Sequence, residues 1–234
     1  MKIAFIGNSH CAQFNIENYN NKDITIDIIN WTAASIKGLV NKNSKLQFGN
    51  HIKEYCEVNK DTTLVFFLGQ VDIEFGYYYK CVINNTKYDV NIYINELIEN
   101  YKEYLNNNIT NKFYILSINP TTIRNIEHNF WVSFRCPNGR HGFYSDPNEA
   151  IKFEDYKDTI YNDDYGTRFN INKLFNERLE TMCINNNFKY INFWNIIMDD
   201  EKTIKSEYMP EHNDHHLRKN NKTELLEYIL NNMK

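Results

Sequence analysis

Apolar positions along this chain fall into short dense runs separated by polar turn residues, the pattern of strands alternating with helices. The first run, Ile3 to Ile6, has the length and β-branched content of a buried strand and stops at Gly7, with Asn8-Ser9-His10 following at once. A short helix is expected over about residues 10 to 19, ending in Asn18-Tyr19-Asn20-Asn21. Ile24 to Asn30 alternates and predicts a second strand, after which Thr32 to Leu39 is small and polar before turning helical. Thr63 to Leu68 is the most hydrophobic run and the predicted central strand. It too ends at a glycine, in Gly69-Gln70-Val71-Asp72, with helix following through Tyr77-Tyr78-Tyr79.

Ile94, Leu97, Ile98, Tyr101 and Leu105 recur at helical spacing and predict a helix over about residues 91 to 106. Phe113 to Ile118 is the fourth predicted strand, stopped by Asn119-Pro120. No period emerges between residues 121 and 166, a stretch holding Pro137, Pro147, Trp131 and several arginines. A loop of that length inside a domain is expected to be functional, here a substrate-side insert. Regular pattern resumes with Ile171, Leu174, Phe175, Leu179 and Met182 on one helix face, then a fifth strand over Tyr190 to Phe193. The polar stretch Glu211 to His216 precedes a last helix carrying Leu225, Leu226, Ile229 and Leu230.

Five strands alternating with helices predict an α/β fold: three layers, α/β/α, around a five-stranded parallel sheet of flavodoxin-like order, with an insert after the fourth strand. With no repeat or linker in the pattern, residues 1–234 are read as a single domain.

Composition narrows the function classes. A hydrophobic fraction of 42% and an aromatic fraction of 15% suffice for a sizeable core. The net charge of −4, with no long basic run, argues against nucleic acid as a partner. The five cysteines, Cys11, Cys56, Cys81, Cys136 and Cys183, are scattered and form no CxxC pair, so a reducing compartment fits and neither a zinc ribbon nor a disulfide framework is supported. No apolar run approaches the roughly 20 residues of a membrane span. The chain enters a strand without a leader-like segment, and a cytoplasmic, soluble protein with no membrane partner is expected.

Candidate chemistry lies where strands end. The carboxyl edge of an open α/β sheet is where ligands bind. A serine there serves as a nucleophile if a base elsewhere can reach it. The plainer reading of Ser9 is a cap for the helix that follows. Asp72 reads as a cap for the helix after the third strand, and Tyr77 to Tyr79 as packing. His212, Asp214, His215 and His216 form a second cluster that could ligate a metal. The absence of clustered cysteines and the presence of a serine that a histidine could serve favour acid-base work over metal.

Together, Gly7-Asn8-Ser9, Gly69-Gln70-Val71-Asp72 and the C-terminal Asn213-Asp214-His215-His216-Leu217 resemble, in order and placement, the motifs of the SGNH/GDSL hydrolase superfamily over nearly the whole chain. The resemblance implies Ser9 as nucleophile and His216 as base, oriented either by Asp214, the nearest carboxylate, or by Asn213, which stands at the family's usual aspartate register. It implies an oxyanion site built from the Ser9 N–H, an N–H near Ala33 and an amide such as Gln70. Three departures stand out: Ala33 or Ala34 where the family has glycine, Val71 where it has asparagine, and the displaced aspartate.

The expected activity is that of a serine esterase or O-acyltransferase acting on an acyl ester of a small molecule or glycan, with no cofactor. The carbohydrate element comes from the family's sugar-modifying members and from the aromatic insert, Phe130-Trp131 and Phe143-Tyr144. In that insert Arg124, Arg135, Arg140 and His141 could meet an anionic substrate. A silent module of the same fold, binding a glycan or a biosynthetic partner, is the alternative. A metal-dependent phosphoesterase ranks behind it, and a dinucleotide fold lacks the further glycines it needs.

Overall fold

The computed structural model describes residues 1–16, 19, 23–44, 46–84, 86–123, 163–199, 203–210, 214–218 and 221–233. Most of the expected insert, with the arginines and aromatics named above and Cys136, lies outside the described residues, as do His212 and Asn213.

Five strands, β1 (Lys2–Gly7), β2 (Thr25–Asn30), β3 (Thr63–Phe67), β4 (Phe113–Leu116) and β5 (Lys189–Ile191), form one sheet in the order β2-β1-β3-β4-β5. Every neighbouring pair is parallel, which gives the expected flavodoxin-like order. Helices α1 (Ile36–Val40), α2 (Phe48–Val58), α3 (Tyr77–Ile83), α4 (Val90–Asn108), α5 (Tyr165–Asn185), α6 (Trp194–Ile197) and α7 (Lys222–Asn232) supply the crossovers and the covering layers. α1 packs on α2 and α4, and α4 on α5, while α7 packs against the turn that follows β1.

The core sits on the two central strands. Ile3, Ala4, Phe5 and Ile6 of β1 and Leu64, Val65, Phe66 and Phe67 of β3 are all fully buried, as strands covered on both faces require. Tyr77, Tyr78 and Tyr79 are buried as well, in line with the packing reading.

Register brings the functional edge together. Gly7 lies opposite Asn30 on one side and Phe67 on the other, so the chain leaves β1, β2 and β3 at one level. A Cβ on Gly7 would stand 2.1 Å from the Phe67 carbonyl oxygen, so only glycine allows that approach.

Two strands, β4 and β5, end two residues sooner than their apolar runs. Beyond β4, the Asn176 amide accepts from Ile118 N–H at 2.8 Å and donates to its carbonyl at 3.1 Å, replacing a strand ladder with side-chain bonds. Beyond β5, the Asn192 side chain accepts from Trp194 N–H at 3.0 Å, just where the chain turns into α6.

Candidate active site

The turn after β1 is a 3-10 helix, Ser9–Phe14, shorter than the helix expected there. Its cap is Asn8 rather than Ser9: the Asn8 carbonyl oxygen of the side chain accepts from His10 N–H at 3.0 Å. The capping reading of Ser9 is therefore corrected, and the Ser9 hydroxyl is left for another partner. That partner is His216, whose Nε2 lies 2.9 Å from Ser9 Oγ across 207 residues of sequence.

Two residues before His216, Asp214 folds its carboxylate back onto both the ring and the main chain. Its Oδ1 lies 2.7 Å from His216 Nδ1 and accepts from His216 N–H at 3.1 Å. An ionised carboxylate only accepts, so Nδ1 carries the proton and Nε2 offers its lone pair to the serine hydroxyl. Thr122 Oγ1 donates to the Asp214 carbonyl at 2.8 Å, and the buried Leu217 anchors the other side of the loop. Burial alone would push the Asp214 carboxyl up. The hydrogen bonds from His216, with the electrostatic pull of His216 and His10, outweigh it and hold the group below its ordinary value. Ser9, His216 and Asp214 thus meet in one chain of contacts. Asn213, at the register the family resemblance offered, lies outside the described residues.

The other expected site residues divide. Ala33 sits in a turn closed by Ala34 N–H donating to the Trp31 carbonyl at 3.0 Å, and Trp31 N–H in turn donates to Gly7 O at 3.0 Å. Ala33 has φ +64°, the left-handed region where glycine is at ease. Among the described residues no acceptor meets the N–H of Ala33 or of Ser9.

Gln70 departs from its expected role as an oxyanion donor. Fully buried, its Oε1 accepts from Asn119 N–H at 2.6 Å and its Nε2 donates to the Asn119 carbonyl at 3.3 Å. The amide is committed to holding the segment after β4. Asp72 also departs from expectation: instead of capping the helix after β3, it accepts from Ile36 N–H at 2.7 Å and Lys37 N–H at 3.3 Å. It thereby ties the start of α1, and the turn before it, to the end of β3.

Behind this edge lies a polar layer that sequence reasoning passed over: Glu74, Asn119, Thr121, Arg168 and Asn172, all buried. Asn172 Nδ2 donates to the Asn119 carbonyl at 3.0 Å. Desolvation pushes the Glu74 carboxyl up to about 7, against the opposing pull of the Arg168 charge and neighbouring hydrogen bonds. Asn172 and Asn176 lie one turn apart on the buried face of α5, a signal visible in the sequence as polar residues on an apolar stripe.

His10 was likewise unremarked. It is buried, its ring centroid 4.4 Å from that of His216 and 5.1 Å from that of His215. These three histidines bring ligand atoms within 4.8 Å of one another. Both ring nitrogens of His10 face protein oxygens, and both of His216 are taken by Ser9 and Asp214. A metal ion would have to displace those contacts, so the donor set fits proton handling better than ligation. Burial pushes the Cys11 thiol far up, which makes it an unreactive core residue.

The five-stranded parallel sheet with its flanking helices is similar, at the level of fold, to solved structures of GDSL-like proteins. A GDSL-like lipase from Bacteroides thetaiotaomicron VPI-5482 aligns with a TM-score of 0.54 at 13% identity, over 99% of this chain and 86% of its own. An acetyl xylan esterase aligns with a TM-score of 0.55 at 12% identity, over 99% and 98%. A G-D-S-L family protein from Desulfitobacterium hafniense DCB-2 gives 0.53 at 12%, over 99% and 98%. No family model and no curated protein matches the sequence. No helix among the described residues is long and apolar enough to cross a membrane.

Proposed function

We propose that this chain is a serine esterase or O-acyltransferase of the SGNH type, with Ser9 as nucleophile, His216 as general base and Asp214 orienting the imidazole. The observation that carries the reading is the run of contacts from Ser9 Oγ through His216 to Asp214, at 2.9 and 2.7 Å.

A serine hydroxyl is a poor nucleophile near neutral pH and needs a base within hydrogen-bond reach. As Oγ attacks the ester carbonyl, its proton passes to His216 Nε2, and Asp214 stabilises the imidazolium that forms. The N–H groups of Ser9 and Ala33 are the donors best suited to the developing oxyanion. Loss of one such donor typically costs about 3 kcal/mol of barrier. Collapse of the intermediate returns the proton to the leaving alcohol. Water, or a sugar hydroxyl, then attacks the acyl-serine with His216 again as base. A glycan ester is the favoured substrate class, on the strength of the aromatic residues in the 121–166 stretch and of the acetyl xylan esterase among the fold relatives.

One observation favours a second reading, a silent module of the same fold binding a glycan: the buried, committed amide of Gln70 leaves the oxyanion site without the side-chain donor the family resemblance implied. Hydrolysis of p-nitrophenyl acetate by wild type, Ser9→Ala and His216→Ala separates the two. The esterase reading expects turnover in the wild type and its loss in both folded variants. Equal rates in all three would sink it.

A further inference from the structure

His10 makes an arrangement that the capping of the turn does not require. Its ring Nε2 lies 3.0 Å from the main-chain carbonyl oxygen of His215, and its Nδ1 lies 3.0 Å from Asn8 Oδ1. A main-chain carbonyl only accepts, so Nε2 must carry a proton. The identity of the Asn8 atom is fixed independently: the same Oδ1 accepts the His10 main-chain N–H at 3.0 Å, which an amide nitrogen could not do. Nδ1 therefore faces an acceptor too. A neutral imidazole has one N–H and one lone pair, and either tautomer would leave a lone pair pointed at an oxygen. Only the imidazolium satisfies both contacts.

We infer that His10 is a buried imidazolium that acts as a positioning residue, bridging the nucleophile turn and the loop that carries the base. It joins parts of the chain 205 residues apart, and its ring centroid lies 4.4 Å from that of His216 with the planes tilted by 35°. Asp214, His215 and His216 face it from the C-terminal loop, Cys11 follows it on its own turn, and β3 presents Phe67. Asp214 is the countercharge, and His10 is among the charges that hold its carboxyl ionised. The cation locks the His215 carbonyl, and so the adjacent His216, over the serine.

This consequence for catalysis rests on the reading of Ser9 and His216 as nucleophile and base, while the charge on His10 does not. Two measurements keep them apart. Side-chain 15N spectra of the full chain at neutral pH, with His10 assigned by its loss in His10→Gln, are expected to show both ring nitrogens protonated. A neutral-tautomer pattern overturns the inference whether or not the protein hydrolyses any ester. In an active enzyme, His10→Gln keeps a donor for the His215 carbonyl but removes the charge. kcat is then expected to fall about tenfold or more with KM little changed, because the imidazole is less firmly held over Ser9. A kcat equal to that of the wild type, or a fall in kcat/KM carried by KM alone, also overturns the inference.

Discussion

Asp214 reaches His216 from only two residues away: one carboxylate oxygen lies 2.7 Å from the ring Nδ1 and also accepts the His216 main-chain N–H at 3.1 Å. The spacing is one residue shorter than in the SGNH/GDSL motif, and the short loop makes it workable. A two-residue step lets an aspartate fold back on its own backbone, so one turn both orders the loop and selects the imidazole tautomer.

The expected consequence is a large rate loss on replacing Asp214 with a group that accepts less well. Asp214→Asn is predicted to lower kcat by roughly a thousandfold or more with the fold retained, because an amide nitrogen would favour the wrong tautomer. Asn213→Ala is predicted to stay within a few-fold of wild type. Steady-state ester hydrolysis, with circular dichroism as the fold control, reads both.

The sign of the Asp214 shift adds a pH signature. A carboxyl held below its ordinary value contributes stability that is present above that value and lost as pH falls through the lower, folded one. Wild type is thus expected to be more stable than Asp214→Asn at neutral pH, with the gap closing only below the ordinary carboxylate range.

Glu74 works in the opposite direction. Its carboxyl, raised from 4.5 to about 7 by burial, favours folding fully below the unfolded value, and that contribution fades as pH rises through the folded one. Over that interval the loss is roughly 3 kcal/mol. Thermal melts should show wild type losing stability between mildly acid and neutral pH, and Glu74→Gln should flatten that slope.

Gly69 is predicted to be irreplaceable. Its φ of +109° is costly for any L side chain, and a Cβ there would stand 2.6 Å from the Phe175 ring. Gly69→Ala is expected to cost about 2–3 kcal/mol, measured by urea denaturation, since strained backbone and overpacking each contribute in that range.

Much of this architecture was legible in the chain. Dense apolar runs at Ile3–Ile6 and Thr63–Leu68 lie in strands buried on both faces, which periodicity reads well. Strand ends were less legible, because Asn176 and Asn192 terminate β4 and β5 by side-chain hydrogen bonds that no apolar pattern encodes. At the site, Ser9, Asp214 and His216 stood out as residue types in motif order. Gln70 was misread because an amide looks the same in sequence whether it faces a substrate or, as here, a neighbouring main chain. His10 was passed over for a related reason: its partners are an asparagine side chain two residues before it and a carbonyl 205 residues away.

The central claim is that Ser9 is a nucleophile activated by His216. Its most direct test is labelling the full chain with a fluorophosphonate at neutral pH and locating the adduct by mass spectrometry. The account predicts one phosphonylated residue, Ser9, with labelling abolished in Ser9→Ala and strongly slowed in His216→Ala. A folded wild type that stays unmodified at Ser9, or labels equally in Ser9→Ala, would contradict it.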